Sequence, residues 1–478
     1  MLFNSLNFAY FFPIVFVIYW LLKNNHKKQN VFLLLVSYFF YACWDWRFVF
    51  LLAASTLLCF MGGRMIHNSA TEGKRKFWVV LSVTVNLLFL GFFKYFNFFV
   101  DSFQDFLQLF GFVPHELSLK IILPVGISFY TFHGLSYVLD IYYKRWQPTR
   151  SWVNYSLFVA YFPLLVAGPI ERATHLLPQL EKKRTFDYSR MVDGMRQILW
   201  GLFKKIIIAD GCAEYANFIF NNSEFQTGTT SLLAAILFAL QIYGDFSGYS
   251  DIALGTSRML GIELLQNFKF PYFSRDIAEF WRRWHVSLSS WFKDYLYIPL
   301  GGSREGMAKT IRNTFIIFLV SGFWHGANWT FVVWGGLHAL YTVPSIMLKR
   351  NRKNLDIVAK GRSLPTLSEF FHMLTTFLLV VFAWIVFRAE SITDAYSFVL
   401  SIAKNPFSIP YIDIRTIVLL LMALFMFIVE WNGREGKYAL ERFANIRSVP
   451  LKWGFYLFVI FSIIFLSGGE QPFIYFQF

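Results

Sequence analysis

The stretch Phe77-Trp-Val-Val-Leu-Ser-Val-Thr-Val-Asn-Leu-Leu-Phe-Leu-Gly-Phe-Phe-Lys-Tyr-Phe-Asn-Phe-Phe99 carries a single charge, at Lys94. As a helix rising 1.5 Å per residue it would measure about 34 Å, enough to cross about 30 Å of hydrocarbon. Its flanks orient it. Arg64, Lys74, Arg75 and Lys76 precede it, whereas residues 100–118 hold Asp101, Asp105 and Glu116 and no Lys or Arg. Basic loops stay on the cytoplasmic side, so the segment runs from inside to outside.

Working outward, the same alternation of apolar run and short polar loop fills the chain. Runs long enough to matter are 8–22, 31–43, 48–63, 77–99, 119–143, 196–220, 231–260, 311–324, 328–348, 369–388, 411–430 and 451–467. They predict an all-α polytopic membrane protein with about 11–12 transmembrane helices. Residues 8–22 follow no positive n-region and precede no small-residue cleavage site, so they read as a retained span. Lys23, Lys27 and Lys28 lie inside and the turn Trp44-Asp45-Trp46-Arg47 outside. Lys144, Arg145, Arg150, Lys182, Lys183, Arg184, Lys204 and Lys205 all read as inside. The apolar segment 152–168, caught between inside loops, is therefore expected to be re-entrant. Loop 221–230 faces out, and 264–312 and 349–362 face in, which makes 311–348 a two-pass hairpin or a re-entrant pair. Both termini are expected outside, the C-terminal one with Glu470 and the aromatic run 473–478. No polar stretch is long enough for a soluble domain. The chain reads as one membrane domain over 1–478, with N-terminal helices at 1–118, a core at 119–348 and C-terminal helices at 349–478.

Composition agrees. Hydrophobic residues make up 56% and charged residues 15%, which excludes intrinsic disorder and argues against a soluble enzyme. The net charge of +15 sits in short loops, as a bilayer partner requires, and forms no nucleic-acid stripe. Cys43, Cys59 and Cys212 lack metal or redox spacing and read as buried thiols; no metal site is expected. The phosphate-loop, dinucleotide, zincin and nucleophile-elbow motifs are all absent.

Ionisable groups inside apolar segments are expensive and mark function by default. Asp245 and Asp251, followed by Arg258, occupy one such segment. They are either acid/base or ligand groups, or structural groups bonded to neighbouring helices or to Arg258. Ser274–Leu296 places Ile277, Phe280, Trp281, Trp284, Leu288, Trp291 and Tyr295 at helical spacing, with Arg282, Arg283 and Lys293 largely elsewhere on the wheel. It reads as an interfacial amphipathic helix with Ser274 as N-cap, carrying His285 beside its apolar seam and Ser289 one turn on. The third group is Ser321-Gly-Phe-Trp-His-Gly-Ala-Asn-Trp329 with Trp334-Gly-Gly-Leu-His338. His325 there is a proton-transfer group or a helix–helix hydrogen bond, and a neutral buried imidazole can accept a hydroxyl proton. Trp324, Asn328 and Trp329 flank it, and Gly322 and Gly326 allow close backbone approach. His338 presents the same alternatives, with structure favoured.

The run Glu279–Ser303, with Trp324-His-Gly-Ala-Asn-Trp329 and Trp334-Gly-Gly-Leu-His338, closely resembles the membrane-bound O-acyltransferase family. It is most similar to its bacterial alginate O-acetyltransferase branch. Asp245–Gly255, Pro124–Phe132, Ala167–Arg172 and the Trp44-Asp45-Trp46 turn support this; the resemblance is strong over 120–340 and at the N-terminus and weak beyond 350. It implies a ring of tilted helices with re-entrant and interfacial segments. Its two signature histidines match His285 and His325, the second as catalytic base. It further implies acetyl-CoA as cytoplasmic donor in a bacterial inner membrane. The acceptor would be an extracytoplasmic polysaccharide, reached through an SGNH-type partner acetyltransferase. Arg282, Arg283, Lys293 and the basic inner loops are candidates for the donor phosphates. Competing readings are D-alanyl transfer to teichoic acid from a carrier protein, and a non-enzymatic polysaccharide or lipid translocator.

Overall fold

A computed structural model describes residues 1–112, 119–166, 168–222, 226–404, 406–410, 412–469 and 471–476. Glu116, Ala167, Glu470, the last two residues of the aromatic run and part of loop 221–230 lie outside these described residues. Every regular element among them is helical. The chain divides into two compact units, Met1–Asp187 with Leu260–Leu264, and Tyr188–Met259 with Leu265–Phe478.

Each of the twelve apolar runs overlaps helical structure, though the helix of 119–143 begins only at Ile127 and that of 77–99 continues to Gln108. Five helices are long and apolar enough to cross a membrane: Arg47–Asn68, Glu72–Gln108, Gly228–Met259, Leu367–Arg388 and Ile414–Gly433. Leu6–Leu21, Trp152–Leu165, Ile392–Ala403 and Val449–Phe465 are shorter apolar helices. The chain is a multi-pass membrane protein.

In the first unit, the run 77–99 lies within Glu72–Gln108, which passes through a π-turn at Gly91–Tyr95. Its amide at Asn86 is buried and bonded on both sides. It donates to the Ser82 carbonyl (2.8 Å) and to the Cys59 sulfur (3.2 Å) and accepts from the Ser55 hydroxyl (2.6 Å). This is how a polar group is tolerated where water is absent. The 119–143 segment becomes helical only at Ile127, after Gly126 turns the chain at φ 72°. The segment 152–168 forms two short helices, Trp152–Ala160 and Phe162–Leu165, broken at Tyr161 and buried from Tyr155 to Val166. Together they would reach only about 20 Å, too short to span.

The second unit is organised on Gly228–Met259, 32 residues and almost wholly buried. Glycines let its neighbour close in. A Cβ at Gly201 would stand 2.6 Å from the Gly248 carbonyl oxygen, and one at Gly194 2.7 Å from that of Gly255. That neighbour runs as Tyr188–Leu202, a π-turn over Phe203–Ala209, and Asp210–Asn221. It carries a correction to the sequence reading. Lys204 and Lys205 do not lie in an inside loop; both are buried in mid-helix. Lys204 pairs with Asp251 at 2.6 Å, and Lys205 with Asp210 at 2.7 Å and Asp245 at 2.8 Å. Arg258 pairs with Asp193 at 2.6 Å, not with Asp245 or Asp251. Ion pairing is what admits these charges to the interior.

The hairpin expected at 311–348 is present as Met307–His325 and Trp329–Met347. Its two legs touch through Gly322 and Gly335, where a Cβ would collide with the carbonyls of Phe331 and Phe318. The amphipathic segment departs from expectation. It is not one helix from Ser274 but Ile277–Arg283, then Val286–Phe292, then a π-turn at Lys293–Tyr297. Asp276 is the N-cap, accepting from the Glu279 N–H at 2.6 Å, while Ser274 closes the preceding 3-10 turn.

Candidate functional site

The break in the amphipathic segment falls on His285. Trp284 is extended, and His285 sits in the left-handed region at φ 42°, ψ 54°. A non-glycine residue there costs on the order of 1–2 kcal/mol and is kept where surrounding structure imposes it. Here a distant segment imposes it. The Val286 N–H donates to the Asn267 carbonyl and the Lys269 N–H to that of Arg283, both at 2.9 Å. The Ser287 hydroxyl donates to the Asn267 side chain at 2.5 Å. His285 is thereby driven fully inside, its ring 4.7 Å from that of Phe246 and 6.0 Å from that of Trp324.

His325 is the last residue of Met307–His325, at the hairpin tip, and is 3% exposed. Its ring meets Trp324 at 5.0 Å, Trp334 at 5.1 Å, Phe387 at 5.5 Å and Tyr475 at 5.7 Å. Trp324 thus packs against both histidines. The two imidazoles are thus both buried and enclosed by aromatic rings.

The other expected residues separate into two groups. His338 joins the aromatic core: its Nδ1 accepts from the Trp281 indole N–H at 3.2 Å, so in the neutral ring the proton is on Nε2. Its ring also lies 4.9 Å from that of Trp334. Trp284 packs on Phe280 at 5.5 Å and Trp384 at 5.1 Å in the same core. The remaining candidates have other partners or face outward. Asn328 caps the second hairpin helix by accepting from the Thr330 N–H at 2.9 Å and donates to the Glu390 carbonyl at 2.8 Å. Trp329 is 55% exposed. Ser289 donates to the Trp284 carbonyl at 3.4 Å. Of the basic candidates, Arg282 is occupied by the carbonyls of Asn351 and Asn354 at 2.9 and 2.8 Å. Arg283 is held by Glu279 at 2.7 Å. Lys293 is exposed. Arg275 fastens the same loop through Asp356 at 2.9 Å and holds that carboxyl below its usual range.

The segment 471–476 supplies what the sequence reading missed. Phe473 and Ile474, expected on the outer side, are buried within the second unit. The Ile474 N–H donates to Asp245 at 2.6 Å, and the Lys205 ammonium to the Gln471 carbonyl at 3.1 Å. Phe473 packs on Tyr249 at 4.5 Å, and Tyr475 lies 4.7 Å from Phe246 as well as beside His325. Asp245 is thus a clamp for this segment, and Asp251 serves Lys204 and accepts from Gln197 at 2.7 Å.

Two predictions arise here. Asn tolerates the left-handed region but cannot act as a base near neutral pH. His285→Asn is therefore expected to insert and unfold as wild type does, while activity falls by about tenfold or more if the imidazole acts in transfer. Matched melting curves and transfer assays check it; unchanged activity would reduce His285 to a turn residue. Ile474→Pro removes the one N–H that Asp245 accepts from this segment. It is expected to loosen 471–476, seen as faster proteolysis there, and to lower activity about tenfold.

Comparison with known proteins adds to this geometry. The model of the membrane-bound O-acyltransferase family matches residues 149–386, which contain both histidines. The chain is 36% identical to the probable alginate O-acetylase AlgI of Pseudomonas putida, over 100% of both proteins. It is 34% identical to a peptidoglycan O-acetyltransferase of Helicobacter pylori, over 83% of this chain and 78% of that one. A teichoic acid D-alanyltransferase of Bacillus subtilis is 29% identical over 50% of this chain and 63% of its own. With its buried pair of histidines and this end-to-end likeness, the chain belongs to the membrane-bound O-acyltransferase family and is an O-acyltransferase.

Proposed function

We propose that the protein takes acetyl from cytoplasmic acetyl-CoA and passes it across the membrane for O-acetylation of an alginate-like extracytoplasmic polysaccharide. An SGNH-type partner acetyltransferase is the proposed route to the polymer. One observation carries the chemistry: His325, buried at a hairpin tip within an aromatic enclosure that it shares with His285 through Trp324.

The reaction asks little more of the chain. His325 takes the proton of the acceptor hydroxyl as its oxygen forms a bond to the thioester carbonyl carbon. The tetrahedral centre collapses with loss of the thiolate, which then receives a proton. A general base contributes about 10²–10⁴ in rate, and exclusion of water protects a thioester from hydrolysis. His285 is proposed to orient the acyl group or relay the proton. The polysaccharide acceptor is favoured by the end-to-end likeness to a protein named for alginate, and the donor by the family resemblance.

The donor is the point at which the D-alanyl reading separates. Membrane vesicles holding the protein, given [¹⁴C]acetyl-CoA, are expected to form labelled ester that depends on His325. Label transferred only from a D-alanyl carrier protein would overturn the acetyl assignment. Transport of polymer without any ester would overturn enzymatic transfer.

A further inference from the structure

A second polar feature lies entirely within the first unit. A cavity of about 960 Å³ is lined by His26, Lys27, Lys144, Arg145, Trp146 and Arg150, among others. Its one carboxylate, Glu181, accepts from the Thr149 hydroxyl at 3.3 Å. Arg145 shares Asp140 at 3.6 Å. Among the described residues, no ion pair joins Lys27, Lys144 or Arg150 to a carboxylate. Two helices, His26–Ala42 and Trp152–Ala160, also begin at this cavity, and their partial positive ends reinforce the same field.

The charge bias of cytoplasmic loops accounts for basic residues here but not for their convergence on one concavity. Nor does inorganic phosphate fill such a space, which is of the size that holds an organic ligand. We infer that this cavity binds the phosphate ester of a larger molecule, either the headgroup of an anionic phospholipid or a soluble phosphorylated metabolite. Arginine and lysine recognise both through the same oxygens. One observation leans toward lipid. Val31, at the cavity wall, begins an exposed apolar stripe with Leu35 and Phe39, 43%, 63% and 58% exposed at four-residue spacing, along which an acyl chain would lie. The inference does not rest on the acetyl-transfer reading.

The test uses the purified full chain in a neutral detergent, with two probes: phosphatidylglycerol, followed by native mass spectrometry, and adenosine 3′,5′-bisphosphate, followed by calorimetry. Saturable binding of either probe is expected, with the lipid probe responding. The double variant Lys27→Glu/Arg150→Glu, whose side chains are both exposed, should weaken binding about tenfold or more. Lys27→Arg/Arg150→Lys should retain it. Matched melting curves show that the fold is kept. Binding of the bisphosphate alone would keep the phosphate site and assign its ligand to the soluble pool. No saturable binding of either probe, or binding equally strong in the charge-reversed variant, would overturn the site.

Discussion

His325→Ala is expected to lower acyl transfer by about 10²–10⁴, equivalent to about 3–5 kcal/mol of transition-state stabilisation, without loss of protein from the membrane. Both halves follow from the geometry. The imidazole ends its helix and meets neighbouring rings edge to face, with Trp334 and Phe387 at 5.1 and 5.5 Å. Those neighbours remain packed with Trp384, which is 5.7 Å from Trp334 and 5.2 Å from Phe387. Truncation therefore opens a small cavity at a hairpin tip and does not undo the hairpin, whose legs meet at Gly322 and Gly335. His325→Gln keeps more of the volume and none of the basicity, and should be as inactive as the alanine variant. Activity retained in the glutamine variant alone would mean that His325 acts by filling space.

Lys205→Met should have the largest effect on stability. It takes the ammonium from two buried carboxylates, Asp210 and Asp245, which stand 2.7 and 2.8 Å from it. Breaking a buried pair on one side costs about 3–5 kcal/mol, because a charge remains without compensation. The expected result is a markedly lower melting temperature in detergent. Lys205→Met/Asp210→Asn/Asp245→Asn removes the charge on both sides and should recover most of the loss. Its activity should nevertheless stay low, since the ammonium that donates to the Gln471 carbonyl and holds 471–476 is still gone. A single variant as stable as wild type would show that the ion pair contributes nothing measurable.

Much of this architecture was legible because a bilayer imposes a simple length rule on apolar runs. The short helix Ile392–Ala403 escaped that rule at 12 residues. What remained hidden was non-local. The apolar rhythm from Ile277 to Tyr295 continues through His285, so periodicity reads one helix. The break is made by Asn267 and Lys269, which bond to Val286 and Arg283 on either side of the turn and whose pairing no local pattern encodes. Lys204 and Lys205 looked like loop residues because charge alone does not reveal whether a carboxylate on another helix neutralises it. The two histidines were legible through their motifs. The contribution of 471–476 was not, since residues far along the chain from His325 reach its side only through tertiary packing.

The most direct test of the account is the O-acetyl ester content of the host's extracellular polysaccharide. It would be compared between cells making the wild-type protein and cells making His325→Ala at the same membrane level. The account predicts ester in the first and its loss in the second, with polymer yield unchanged. Equal ester content in the two would contradict acetyl transfer through His325.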